Sequence, residues 1–481
     1  MATEESPLLA EQYEQRSSSP HSDEIYDRFS RSQKNTISFI VSFAGLVPMF
    51  VAGSFVPSIP QIAKDLDASP ATVSLAVSLS VFSSAFGALV WSAYSSFYGR
   101  RPMYLCGIPL LCIGSFGVAA APDLSQLLFW RFVQTFGCSG GFSVGAGVIG
   151  DIYKLEERGT AMGSFFGATL LGLAIAPITG GTAAQYWSWR GFQFALGVSG
   201  IVQMLMIHVF LPETAHPNTR GIDKLGEGSK FVWINPFSTL RLLRSPNILA
   251  VVSWSLLSSD TVLLIPLAYT IGVRYGITSE ALIGACFLPN GLGNFVGAPI
   301  AGRLSDAVIK KWIKKRNGVW VPEDRLRAVY VGSLFLVPLS VSAAGLVMAY
   351  IDGPVGLALT LLCLFTNGMG VDMVLTPIGS YNVDLMQNRG AEVMAAVTFV
   401  PSFLLSVFPA CSVLTYVRTA FRSLLLAPVS AMVIPFIERF GVAATNGMAA
   451  LLALLGHFLI WLTIRYGDRM RAYVDVGYQT D

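Results

Sequence analysis

Charge is scarce in this chain. Asp, Glu, Lys and Arg make up only 13% of its 481 residues, where a soluble domain carries about 25%, so the surface cannot all face water. Histidine is scarcer still, and the four residues His21, His208, His216 and His457 show no metal-ligand spacing. The six cysteines, Cys106, Cys112, Cys138, Cys286, Cys363 and Cys411, all lie in apolar runs. That placement points to buried thiols rather than disulfides or metal ligands. No Gly-x-x-x-x-Gly-Lys-Ser/Thr stretch is present to hold nucleotide phosphates, which argues against ATP-driven pumping by this chain alone. No nucleophile-with-base arrangement stands out either. The sequence therefore predicts no enzyme, no cofactor and no nucleic-acid partner. The first 34 residues are polar and Ser-rich without an apolar core, so they are not a cleaved signal peptide.

What fills the space is apolar sequence, 53% of the chain. About 20 consecutive apolar residues cross a bilayer as a helix, and such runs recur near 36–57, 70–92, 103–121, 127–149, 161–183, 191–211, 248–270, 279–301, 329–350, 355–377 and 441–465, with a disputed region at 392–436. Counted once, that region brings the total to twelve spans. The expected fold is all-α: a polytopic membrane protein of two six-helix bundles. Its expected parts are a disordered tail 1–35, an N-terminal bundle 36–211, a linker 212–247, a C-terminal bundle 248–466 and a tail 467–481.

The positive charges alternate from side to side. Of 32 Lys and Arg, 25 fall in the tails and in alternate loops, and eight of these lie between Arg303 and Arg327. Only Lys64, Arg190, Arg274 and Arg439 fall on the opposite side, while Arg131, Arg418 and Arg422 lie in apolar segments. Basic loops stay in the cytoplasm, which predicts that both termini are inside. The expected partners are a small-molecule substrate, protons and membrane lipids, with the chain monomeric. The expected site is the plasma membrane. An acidic dileucine pattern, Glu4-Glu-Ser-Pro-Leu-Leu9, leaves a vacuolar or endosomal membrane as the alternative, and chance accounts for the pattern equally well.

Two ten-residue stretches are degraded copies of one pattern: Ser92-Ala-Tyr-Ser-Ser-Phe-Tyr-Gly-Arg-Arg101 and Gly302-Arg-Leu-Ser-Asp-Ala-Val-Ile-Lys-Lys311. Internal repeats of this kind build secondary carriers. With Arg131-Phe-Val-Gln134, Gly150-Asp-Ile-Tyr153, Glu156-Glu-Arg-Gly159, Ala176-Pro-Ile-Thr-Gly-Gly181, Trp187-Ser-Trp-Arg190 and Leu211-Pro-Glu-Thr-Ala-His216, the chain resembles the fungal drug:proton antiporters of the major facilitator superfamily over roughly residues 36–470. The resemblance implies proton-coupled export of a small organic molecule by alternating access, the substrate being a drug, a secondary metabolite or an organic acid such as itaconate. An uptake permease or uniporter on the same fold, or a non-transporting membrane sensor, is the alternative. The resemblance also assigns gating to Gly99, Arg100 and Arg101, to Gly302 and Asp306, and to Pro177, Gly180 and Gly181. Two departures matter. Ser92 and Ser96 stand where the family's first loop carries Gly and Asp, whereas the second copy keeps both as Gly302 and Asp306, which predicts stronger gating contacts in the C-terminal half. Ala176 replaces a glycine before Pro177.

Asp260 lies mid-span, too deep for its short side chain to reach water, so it must be neutral, paired or hydrated. It is the leading proton-site candidate, with a structural acid among Ser258, Ser259 and Thr261 as the plain reading. Asp372, nearer a span end, is a weaker one. Arg131 sits early in an otherwise apolar span, where a charge costs at least about 2.5 kcal/mol. It faces the cavity or a partner, or it snorkels to the interface, and the family resemblance implicates it in proton coupling. Gln134, Trp254, Tyr269, Asn290, Asn294 and Asn367 are candidate cavity contacts, with ordinary packing as the equal explanation. Residues 401–421 read as an insertion, since removing them restores a single span.

Overall fold

The first long helix begins at a designed start signal. Ser30 adopts an extended backbone, its side chain accepts the Gln33 amide, and the Gln33 side chain accepts the Ser30 amide in return, so two backbone donors at the helix start are satisfied reciprocally. The computed structural model describes residues 25–224, 232–257, 285–386, 389–414 and 427–473, together with 271–272, 274–277 and 282.

The N-terminal half contains α1 (Arg31–Phe55), α2 (Pro70–Tyr98), α3 (Arg100–Ala120), α4 (Leu124–Cys138), α5 (Gly140–Ile152), α6 (Leu155–Tyr186) and α7 (Trp189–Phe210). Helices α4 and α5 together make one crossing, Leu124–Ile152. The C-terminal half contains α8 (Pro246–Leu257), α9 (Leu288–Lys315), α10 (Val337–Tyr350), α11 (Gly353–Leu385), α12 (Gly390–Leu414) and α13 (Ala427–Tyr473). Among the described residues nine helical segments are long and apolar enough to cross a membrane, and no strand occurs. Large apolar side chains such as Phe39, Ile113, Phe129, Val209, Leu339 and Leu451 are exposed on the outside of the bundle. In water that would be an aggregating surface. In hydrocarbon it is the required one, and the chain is an integral membrane protein.

The two halves meet along two helix pairs, α6 against α9 and α2 against α12. Small residues bring α6 and α9 backbone to backbone. A side chain at Gly163 would strike the Ala298 carbonyl, one at Gly167 would meet Ala298 and Phe295, and one at Gly302 would meet Gly159 and Thr160. Four-residue spacing of small residues thus becomes a close crossing held by packing rather than by a hydrophobic drive.

Several expected boundaries move. The N-terminal tail ends earlier than residue 35, because the Ser30 cap starts α1 at Arg31. The stretch expected as a loop from residue 303 is helix as far as Lys315, since Lys310, Lys311, Lys314 and Lys315 are good helix formers that also complement the dipole at a helix C-terminus. At the chain end, α13 runs to Tyr473 rather than stopping at 466, with its kink at Gly441, where φ is +82°. Of the segment 401–421, residues to Leu414 continue α12, and 415–421 lie outside the described residues. Cys106 is exposed rather than buried, while Cys112, Cys138 and Cys286 are buried.

Candidate functional site

The turn Gly99-Arg100-Arg101 joins α2 to α3 with Gly99 at φ +109°, a conformation that glycine adopts without strain. Glu213, just past α7, caps the helix that follows. Its carboxylate accepts the Arg100 amide at 2.9 Å and the Arg101 amide at 3.2 Å, and a side chain at Gly99 would collide with it. A carboxylate at a helix N-terminus satisfies free N–H groups and the helix dipole together. Arg100 then turns inward and donates from Nε to Asp151 at 2.9 Å and from Nη1 to the Ser95 hydroxyl at 3.0 Å.

The second copy of the pattern does more, because it reaches the other half. Asp306 on α9 accepts the Gly159 amide at 2.8 Å, the Thr160 amide at 2.8 Å and the Thr160 hydroxyl at 2.6 Å, all from the start of α6. Arg325 donates to Asp306 at 3.3 Å, to Asp384 at 2.5 Å and to the Leu155 carbonyl at 2.8 Å. Asp384, at the end of α11, also accepts from Arg158 of the N-terminal half at 2.5 Å. Arg158, Arg325 and Asp384 are fully or almost fully buried. The result is a relay, Asp306–Arg325–Asp384–Arg158, that starts on one half and ends on the other. In the first copy, Ser96 stands at the position of Asp306, and its hydroxyl donates to the Ser92 carbonyl of its own helix at 3.3 Å. The hydrogen bonds of the N-terminal relay therefore stop at Arg100–Asp151, and Arg100 feels the other half as a charge near Glu392.

Arg131 on α4 is completely buried, which rules out the snorkelling geometry. It donates to the Gln134 side-chain oxygen at 2.6 Å and to the Val51 carbonyl at 3.0 Å, and it sits 4.2 Å from the Phe55 ring centroid. Gln134 in turn donates to the Ser115 hydroxyl at 2.8 Å and to Gln193 at 2.9 Å. Among the described residues, no carboxylate pairs with Arg131.

Other candidates fall elsewhere. Trp254 is buried in the C-terminal core with Val251 and Ile460, against Gly456, so it packs α8 on α13 rather than lining a space between halves. Asn367 accepts from Ser340 inside the same half. Asn290 and Asn294 are buried on α9, with Asn290 packed on Gly368. In the Pro177-to-Gly181 segment, α6 remains one continuous helix, and Gly180 lets it approach the Ser54 carbonyl of α1. Asp260 and Tyr269 lie outside the described residues. Arg158, Glu213, Arg325 and Asp384 were not singled out from sequence. Arg158 and Glu213 do lie inside motifs that carry the resemblance, Glu156-Glu-Arg-Gly159 and Leu211-Pro-Glu-Thr-Ala-His216, whereas Arg325 and Asp384 stand in no such motif.

Two helical halves crossing a membrane, sharing a small-residue seam and locked at one end by buried ion pairs, define a membrane carrier. Residues 41–409 match the Major Facilitator Superfamily, and the chain belongs to that superfamily of transporters. It is 35% identical over 181 residues to the MFS antiporter QDR3 of Candida albicans, covering 38% of this chain and 26% of that protein. It is 29% identical over 311 residues to Citrate exporter 1 of Aspergillus niger, covering 58% of each. A longer match, 25% identical over 457 residues, links it to the efflux pump radE of Floropilus chiversii, with 90% and 80% covered. The matched part thus spans about a quarter of the first of these relatives and just over half of the second. Among solved structures, the proton:xylose symporter XylE matches with a TM-score of 0.64 at 11% identity, covering 91% and 97%. The human organic anion transporter MFSD10 matches with a TM-score of 0.57 at 17% identity, covering 89% and 99%. At those identities the likeness concerns the fold.

Proposed function

We propose that this transporter exports a small organic molecule in exchange for protons, by alternating access between its two halves. In this reading the end bearing Gly99–Arg101 and Gly302–Asp306 faces the cytoplasm, both termini with it, as the placement of basic residues favours, and the membrane is the plasma membrane. The relay Asp306–Arg325–Asp384–Arg158 carries the reading. Among the described residues it ties one half to the other at one end through buried hydrogen-bonded ion pairs at the second repeat copy, which is what a gate that must close and release requires.

An organic acid is the favoured substrate class. Arg131 is a buried cation held by an amide, a carbonyl and a ring, and such a cation gains most from an incoming carboxylate. The name of one relative, a citrate exporter, agrees with that class. Asp260 is the proposed proton carrier, since burial raises a carboxyl pKa and a nearby cation lowers it.

Sealed inside-out vesicles containing the chain test the whole scheme. Citrate and itaconate should accumulate when the lumen is acid and the bath neutral, and Asp260→Asn should abolish the pH-driven part. Full pH-driven uptake by that variant would remove Asp260 from the mechanism, and uptake indifferent to the gradient would make the chain a uniporter.

A further inference from the structure

The relay described above leaves unexplained what aims Arg158. Its Nη1 reaches across to Asp384, while its Nη2 donates to three acceptors: the Gly150 carbonyl at 3.0 Å, the Tyr153 carbonyl at 3.2 Å and the Tyr26 hydroxyl at 3.4 Å. The two carbonyls belong to the end of α5 and cannot leave without unwinding it. Tyr26 can, because it lies on a short segment that precedes α1 and is laid over the surface of the same end of the bundle.

That segment is fastened at several points, all on the N-terminal half. Asp27 pairs with Lys154 at 3.0 Å, and Arg28 donates to the Thr214 carbonyl at 3.0 Å and to the Ala215 carbonyl at 3.4 Å. The Tyr26 ring meets His216 edge-on, 5.5 Å between centroids at 86°. Ser30 then anchors the far side by capping α1. These fastenings converge on Lys154-to-Arg158 and on the stretch just after Glu213, the same two stretches that supply Arg158 and cap α3. Exposed ion pairs such as Asp27–Lys154 contribute little alone. Several acting on one short segment tethered to a helix set its position.

We infer that residues 25–31 form a strap in which Tyr26 is a positioning residue, holding the Arg158 guanidinium in the orientation that reaches Asp384 and so favouring the state in which this end of the carrier is shut. The inference rests on the proposed gate, and it goes beyond it by placing control of the gate in a segment outside both helical halves. Lifting the strap leaves the relay residues intact but shifts the population toward the open form.

The test uses the full chain in sealed vesicles with the gated end outward and a membrane-impermeant maleimide. Ser380→Cys supplies the reporter, because Ser380 is buried one turn inside Asp384 and its hydroxyl bonds only within its own helix. Tyr26→Ala and the combined Tyr26→Ala/Arg28→Ala variant should raise labelling at position 380 about three- to tenfold, the factor that one lost hydrogen bond gives. Tyr26→Phe, which keeps the ring on His216, should fall between the parent and Tyr26→Ala. The native thiols Cys112 and Cys138, buried inside the N-terminal half, should label no faster. Unchanged labelling at position 380 in both Ala variants would overturn the inference. So would parallel rises at position 380 and at Cys112 and Cys138, which would mean that the segment merely stabilises its half. Failure of proton-driven transport, with labelling rising as expected, would count against the proposed coupling and leave the strap standing.

Discussion

Arg158 and Asp384 lie 226 residues apart in the chain and meet at 2.5 Å, both without solvent exposure. The pair is shared, because Asp384 accepts from Arg325 on its other oxygen at 2.5 Å. Breaking one partner of a buried ion pair costs roughly 3–5 kcal/mol, since the remaining charge keeps its burial and loses its neutraliser.

The first prediction follows from that asymmetry. Asp384→Asn leaves two buried guanidinium groups facing a neutral amide, whereas Arg158→Ala leaves Asp384 still paired with Arg325. Asp384→Asn should therefore lower the thermal midpoint in detergent more than Arg158→Ala, and both should lose most of their transport. Equal midpoints for the two variants would mean that Asp384 is neutralised by something other than these arginines.

Ser96→Asp should restore to the first repeat copy the carboxylate that Asp306 supplies in the second. Placed beside Arg100 at the α2–α12 contact, it would add a second tie at the same end. The expected outcome is a carrier that closes more firmly and turns over about three- to tenfold more slowly, the effect of about one charge-assisted bond, with the ion pair Arg100–Asp151 retained. Faster turnover would show that the serine is not the weaker form of the device.

Arg131 should tolerate lysine poorly. The guanidinium serves Gln134, Val51 and the Phe55 face simultaneously, and a lysine cannot reproduce that fork. Arg131→Lys should retain a small fraction of citrate transport and Arg131→Ala essentially none. Indistinguishable rates for Arg131→Lys and the parent would leave only the positive charge as the requirement.

Acidification of the gated end should loosen the strap. Burial holds the His216 imidazole below its ordinary value, opposed by Asp151 and reinforced by Arg28, Arg158 and Arg100. Because the docked state binds its proton less readily than the undocked state, docking is unaffected above the ordinary imidazole value of about 6.5 and weakens as pH falls from there toward the lower docked value. Labelling at position 380, taken relative to a free-thiol standard at each pH because the thiolate is the reacting form, should thus rise as pH falls below about 6.5 in the parent and stay flat in His216→Gln. A flat parent profile would exclude His216 as the sensitive group.

Much of the fold is legible in the chain because a bilayer imposes a simple rule on each segment. The first six spans, at 36–57 through 191–211, overlie helices α1 to α7 and pass their ends by two residues at most. Helix ends are less legible, since membrane thickness says nothing of residues beyond it. The lysines after Arg303 read as loop by hydropathy, yet they extend α9 to Lys315. The site was legible only in part. The repeated turns marked Arg100 and Asp306, but the partners that give them meaning, Glu213, Arg325, Asp384 and Arg158, come from four separate stretches of the chain. Pairing across such distances leaves no local pattern. For Trp254 the sequence left cavity contact and packing equal, and the side chain lies in the core against Gly456.

The seam between α6 and α9 sets how such a molecule can move. Interfaces built of interdigitated side chains must withdraw every knob from its hole before they part. Here Gly159, Gly163 and Gly167 face Gly302, Ala298 and Phe295 with almost nothing to withdraw, so the surfaces can roll over one another like a plain bearing. At this seam the resistance to motion is left to the charged side chains of the rim, whereas the α2–α12 seam also has rings to part, Phe82 against Phe403.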